Sequence, residues 1–194
     1  MSLLGRDDLV AGLSELVAEL RREGSPAGLR IVGGAALALR YFERGTTRDV
    51  DMLHAQPGSD EAVLAAAGRV AVRRGWDHDW VNFAVTNADA VPTLGRAVRW
   101  DTIHEADGIV IEVAGADAML AMKLRANRPG RDTDDIRRLL ALCGIGDVAA
   151  AAELYEAFYP GDALPDRAVR MVEAIIVEAP LAAPAPVPRP RIAE

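Results

Sequence analysis

Residues 29–53 constrain the fold more than any other stretch, because the hydrophobic period changes there twice. Leu29-Arg30-Ile31-Val32 is an apolar run too short for a helix and reads as a strand. Gly33-Gly34 closes it, and Ala35 to Phe42 follows with strong helix formers and no breaker. Gly45-Thr46-Thr47 reads as a turn. From Asp49 to Leu53 charged and apolar residues alternate with period two, which predicts a second strand. Two strands that can neighbour each other, with one helix between them, leave few folds open.

The flanking segments extend the pattern. Leu9, Leu13, Leu16, Val17 and Leu20 give Asp7 to Arg22 one apolar helical face, ended by Gly24-Ser25-Pro26. Ser59 or Asp60 caps a helix that runs to about Arg74. Gly75 to Leu94 is aromatic and rich in Asn and Asp, and reads as loop with a short helix near Asp79 to Val85. Ala97 to His104 and Gly108 to Val113 read as strands joined by the turn 105–108. Helices are expected at 116–126, 133–142, 148–158 and 165–177. Pro180 to Glu194 holds five of the eleven prolines, lacks apolar periodicity and reads as an extended, mobile tail. The expected fold class is α+β: a small mixed sheet flanked by helices, with a helical C-terminal extension. The corresponding division is a domain over 1–142, the extension over 143–179 and the tail over 180–194.

Composition narrows the function. Apolar residues make up 51% of the 194, enough for a sizeable core. The 22 basic and 29 acidic residues leave a formal charge of −7, which weighs against holding nucleic acid through bulk positive charge. One cysteine, Cys143, excludes an internal disulfide framework and a multi-cysteine zinc site. Three scattered histidines, His54, His78 and His104, suggest no metal cluster. No apolar run is long enough to span a membrane, and the first residues lack the apolar core of a signal peptide, so the expected compartment is the cytosol.

The chemistry concentrates in the same stretch. Gly33-Gly34 lets backbone approach a phosphate, with the N–H groups and dipole of a helix start behind it. Asp49 and Asp51 lie two apart on an expected strand, so both carboxylates share a face while Val50 and Met52 point to the core. Two carboxylates that close repel unless a cation compensates them. Mg²⁺ prefers one or two carboxylates plus substrate phosphates. Taken singly, a Gly-Gly is usually a turn and an Asp-x-Asp a solvated strand face. Together, with a helix between and a Thr46-Thr47-Arg48 lead-in, they point to phosphate and metal binding.

The order Gly-Gly, helix, then Arg-x-x-Thr-x-Asp-Val-Asp resembles the signature of the polymerase-β-like nucleotidyltransferase superfamily. Its closest flavour is that of the AbiEii and MenT-like bacterial toxin nucleotidyltransferases and their uncharacterised relatives. A second block, AMLAMKLRANRPGRDTDDIRRLL over 118–140, is similar to that group's Met-Lys-Leu-x-Ala segment followed by Arg-Asp-x-x-Asp-Ile. Asp79-Trp80-Val81-Asn82 is a weaker echo, similar to a Trp-Leu-Asn stretch. The resemblance covers roughly residues 28 to 142. It implies transfer of a nucleoside monophosphate from an NTP to a hydroxyl acceptor such as the 3′ end of tRNA, by a toxin checked by an antitoxin protein. It implies one or two Mg²⁺ ions on Asp49 and Asp51. Gly33, Gly34, Thr47, Arg48 and Lys123 would bind the nucleotide, and Asp135 would orient Lys123 or act as base. A third carboxylate, frequent in the superfamily, has one candidate, Glu112, which either completes the metal site or is a solvated edge residue.

The residues of the second block carry a reading of their own. Lys123 sits among Met119, Leu120, Met122 and Leu124, so it must snorkel out or point into a site. With Arg125, Arg128 and Arg131 it makes a local anion site, and a lysine is a good point charge for a triphosphate. Arg137 and Arg138 extend these cations into a candidate RNA track. Asp132 or Thr133 could cap the next helix, with Asp135 on its dipole. Trp76, Trp80 and Trp100 could stack a base, although packing in a core is the commoner role. A binding or interaction module without catalysis is the alternative function.

Overall fold

The computed structural model describes residues 2–87 and 90–193. Residues 88 and 89 of the expected loop, and Glu194 of the expected tail, lie outside the described residues. The chain is α+β, with a five-stranded mixed sheet and helices on both sides of it in sequence. It forms two compact units, one from residues 2–87, 100–114 and 186–193, the other from 90–99 and 115–185.

In the first unit the elements are α1 (Arg6–Arg22), β1 (Ala27–Val32), α2 (Gly33–Arg40), β2 (Val50–Ala55), α3 (Asp60–Arg74), β3 (Val81–Asn82), β4 (Trp100–Ala106) and β5 (Ile109–Ala114). The strand order is β3-β2-β1-β5-β4. β1 pairs antiparallel with β2, setting Val32 opposite Asp51, and parallel with β5, setting Arg30 opposite Glu112. Alternation then divides the sheet. Leu29, Ile31, Val50, Met52, Ile109, Ile111 and Val113 are buried on one face. Arg30, Asp51, Leu53 and Glu112 share the other, half-buried face.

Most expected elements are present, with shifts at their ends, but the short helix expected near Asp79 to Val85 is not: residues 81–82 pair in the sheet instead. α2 starts on Gly33 itself, so the Gly-Gly is the first helical turn and not a turn before it. β2 starts at Val50, which leaves Asp49 one residue outside the strand. The aromatic stretch contains a two-residue strand, β3, paired parallel with β2, and a 3-10 turn at Ala84–Asn87. Trp80 explains this order: it is fully buried and its Nε1 donates to the Ala67 carbonyl of α3 at 2.9 Å.

The second unit contains α4 (Ala116–Ala126), α5 (Thr133–Cys143), α6 (Val148–Phe158) and α7 (Asp166–Glu178). This unit also takes in residues 90–99 ahead of these helices. Ala118, Met119, Leu120, Ala121, Met122 and Leu124 are all buried, and a helix apolar on nearly every side needs other helices around it. Residues 186–193 also depart from the expected mobile tail. They belong to the first unit, where Ile192 is buried and the Ala193 N–H donates to Ser14 Oγ at 3.0 Å.

Candidate functional site

The first block converges on one turn. Gly33 has φ +71°, in the region that favours glycine, and a Cβ there would lie 2.8 Å from Asp51 Oδ2. Gly34 is equally confined. A Cβ on it would lie 2.9 Å from Arg44 Nη1 and 3.0 Å from Thr47 Oγ1. The two glycines thus form a floor flanked by a carboxylate on one side and a guanidinium and a hydroxyl on the other. Pairing of Val32 with Asp51 brings the carboxylate there, because it sets the second strand beside the residue preceding the Gly-Gly.

Thr47 is fixed by the N-terminus. Its backbone bonds Leu4 in both directions, at 2.7 and 3.0 Å, and its Oγ1 donates to the Asp49 carbonyl at 3.3 Å. Thr47 is buried, whereas Arg48 is exposed and Asp49 half-buried. Glu112 is engaged elsewhere: it accepts a hydrogen bond from Arg30 Nε at 2.8 Å, and Arg30 also lies 4.8 Å over the Trp100 ring. It shares a sheet face with Asp51 but stands two strands away and two residues along, on the order of 10 Å between backbones. Among the described residues no three His, Cys, Asp or Glu side chains are grouped to hold a metal. Of the two aspartates, Asp51 lies beside the glycine floor.

The second block forms a cluster inside the second unit. Lys123 neither snorkels out nor stands open; it is 5% exposed, and its Nζ donates to Asp132 Oδ1 at 2.7 Å and Asp135 Oδ2 at 2.8 Å. Asp132 is fully buried and also accepts from the Arg128 backbone N–H and Nε at 3.0 and 2.8 Å. Burial pushes the Asp132 carboxyl up, but the bonds from Arg128 and Lys123 outweigh it and hold the group at about 2. Asp132 opens α5 without a side-chain capping bond, so its acid serves the lysine rather than the helix end. Sequence reasoning missed this role, since an acid at a helix start is ordinary.

The expected basic track is largely neutralised. Arg125 Nη1 bonds Asp162 at 2.7 Å and the Tyr155 hydroxyl at 3.0 Å. Arg128 is held by Asp132, Arg137 bonds Glu178, and Arg138 bonds Asp134 at 2.8 Å. Arg131 is exposed. Of the tryptophans offered as base platforms, Trp80 is core, and Trp76 packs edge-on against it with centroids 5.1 Å apart.

Arg44, to which sequence reasoning gave no role, stands against Gly34. Its position in the Arg-x-x-Thr pattern was the available signal.

No family model, characterised protein or solved structure matches this chain.

Proposed function

We propose that the chain is a Mg²⁺-dependent nucleotidyltransferase that moves a nucleoside monophosphate from an NTP to a hydroxyl acceptor. The observation that carries this reading is the glycine floor of α2, with Asp51 against Gly33 and Arg44 with Thr47 against Gly34. An anion and a cation site side by side at a helix start suit a metal-bound polyphosphate. Asp49 and Asp51 would hold the metal, which would supply a lowered pKa at an attacking hydroxyl and charge compensation for the pyrophosphate that leaves. Gly33 and Gly34 give the phosphates close backbone approach, and Thr47 shapes the floor. Lys123 and Asp135, assigned to the nucleotide by resemblance, are bonded to each other in the second unit, where Lys123 also bonds Asp132.

The acceptor is open between RNA, protein and small molecule. A tRNA 3′ end and a cognate antitoxin rest on resemblance alone, and the paired arginines weigh against a broad RNA track. The engagement of Glu112 by Arg30 favours a second reading, a nucleotide-binding module without catalysis. Incubation with each labelled NTP, Mg²⁺ and total RNA or protein tests both. Label transferred to an acceptor, and lost in Asp51→Asn, supports the enzyme. NTP binding without transfer supports the module, and the absence of both removes the two readings together.

A further inference from the structure

We propose that the outer edge of β4 is a docking site for an extended segment of another protein, one in which basic and apolar residues alternate, and that residues 188–193 fill that site only in part. β4 is the last strand of the sheet, so one of its edges has no strand beside it. A bare edge is a template for strand pairing, and chains commonly cover one with a loop or with proline. Residues 188–193 are such a cover. Pro190 and Ile192 are buried while Arg189 and Arg191 are exposed, which is the period of an extended chain. Arg189 Nη2 donates to the Thr102 carbonyl at 2.7 Å, and His104 Nδ1 donates to the Ile192 carbonyl at 3.1 Å. The segment is also tied to α1, where Arg6 Nη2 donates to the Pro188 carbonyl at 2.5 Å and Ser14 Oγ accepts from the Ala193 N–H at 3.0 Å.

This cover leaves the edge underused. Its bonds to Thr102 and His104 each run through a side chain, and among the described residues no strand pair joins it to β4. Pro188 and Pro190 have no N–H to give to a ladder. A groove of about 780 Å³, lined by 102–106 and 188–193, runs along the edge. A chain that kept the Ile192 anchor and carried N–H groups in place of the two prolines would add main-chain bonds that the cover cannot make. The charges set the rest of its chemistry. Glu105 lines the groove, is exposed, and has no side-chain hydrogen bond or ion pair among the described residues. It favours a basic partner, as the arginines of the cover already indicate. A second copy's β4 is a poor partner, because antiparallel pairing about Ile103 sets Asp101 against Glu105, and like charges directly opposite are destabilising.

The test uses two fluorescently labelled peptides, one with the sequence of residues 187–193 and one with threonine in place of both prolines. Each is titrated by anisotropy into the full chain and into full-length Ile192→Asp, which loosens the cover and leaves β4 unchanged. Both peptides are expected to bind Ile192→Asp at least about tenfold more tightly than the parent, since the cover no longer competes. The threonine peptide is expected to bind about tenfold more tightly than the proline peptide, through the added main-chain bonds, and to slow amide exchange over 102–106. Glutamate in place of both peptide arginines is expected to weaken binding about tenfold. Equal affinity for the parent and Ile192→Asp places the peptides elsewhere and overturns the proposal. So does equal affinity of the threonine and proline peptides, or unchanged exchange over 102–106, either of which makes 188–193 a plain cover for the edge. Where Ile192→Asp lowers the melting temperature of the chain, Arg189→Gln, an exposed substitution that removes only the bond to Thr102, is read by the same criteria.

Discussion

At the scale of single residues, the fate of a charge depends on what faces it. Lys123 illustrates this. A lysine among methionines and leucines has two outlets by sequence, solvent or a site, and here it does not reach solvent. Asp132 and Asp135 meet its ammonium inside the unit. Lys123→Met therefore leaves two buried carboxylates short of a partner. We expect a loss of about 3–5 kcal/mol in denaturant unfolding, the usual cost of breaking one side of a buried pair. Changing Lys123, Asp132 and Asp135 together to Met, Asn and Asn is expected to recover much of that, because no buried charge is then left unpaired among the three. Asp49 and Asp51 behave oppositely. Both are half-buried, and either change to Asn is expected to reduce transfer a hundredfold or more with little effect on the melting temperature. A melting temperature that falls with Asp51→Asn while labelled-NTP transfer persists would make the carboxylate a structural group.

At the scale of elements, periodicity was the legible part. The alternation 49–53 placed Val50 and Met52 in the core and left Asp51 on the other face, as the burial shows. The helices of the second unit follow their apolar positions to within a residue or two. What local pattern does not contain is the partner across the sheet. Nothing near Glu112 in sequence announces that Arg30, eighty-two residues away, will take its carboxylate, and nothing near Asp132 announces Lys123. The Gly-Gly was legible as a close approach, but not the identity of the side chains that approach it. The α4–α5 connection also carries a pH dependence. The Asp132 carboxyl is held at about 2, below its ordinary 3.8, so the unfolded chain binds its proton first. The stability it contributes is complete above about pH 4 and is lost as pH falls through about 2. Acid unfolding of the parent should therefore be steeper between those values than that of Asp132→Asn, followed by circular dichroism.

At the scale of the whole molecule, the last residues change what the chain's end is for. A proline-rich segment with no apolar period offers no helix or strand to bury, and by composition alone it reads as mobile. Single anchors escape such a reading. Within the first unit Ile192 is 4% exposed, Arg189 Nη2 donates to the Thr102 carbonyl at 2.7 Å, and Arg6 Nη2 donates to the Pro188 carbonyl at 2.5 Å. His104 Nδ1 lies 3.1 Å from the Ile192 carbonyl and must be the donor, which leaves Nε2 buried and without a hydrogen-bond partner among the described residues. Burial lowers the pKa of His104, Arg21 adds to that, and the Ile192 carbonyl and Asp107 oppose it. A histidine whose folded pKa lies below 6.5 binds its proton more readily when unfolded. Its contribution is complete above pH 6.5 and is lost as pH falls through the lowered value. Two outcomes follow for the same segment. Ile192→Asp places a charge where an apolar side chain is buried and is expected to cost about 2 kcal/mol of docking, seen as faster proteolytic cleavage within 180–193 at pH 7. The parent chain is expected to show that same acceleration on mild acidification, and His104→Gln, which keeps a donor but cannot gain the proton, is expected to lose the pH dependence. Cleavage of the parent that is already as fast at pH 7 as in Ile192→Asp would mean that the segment does not hold its place, and the docking argument would fall.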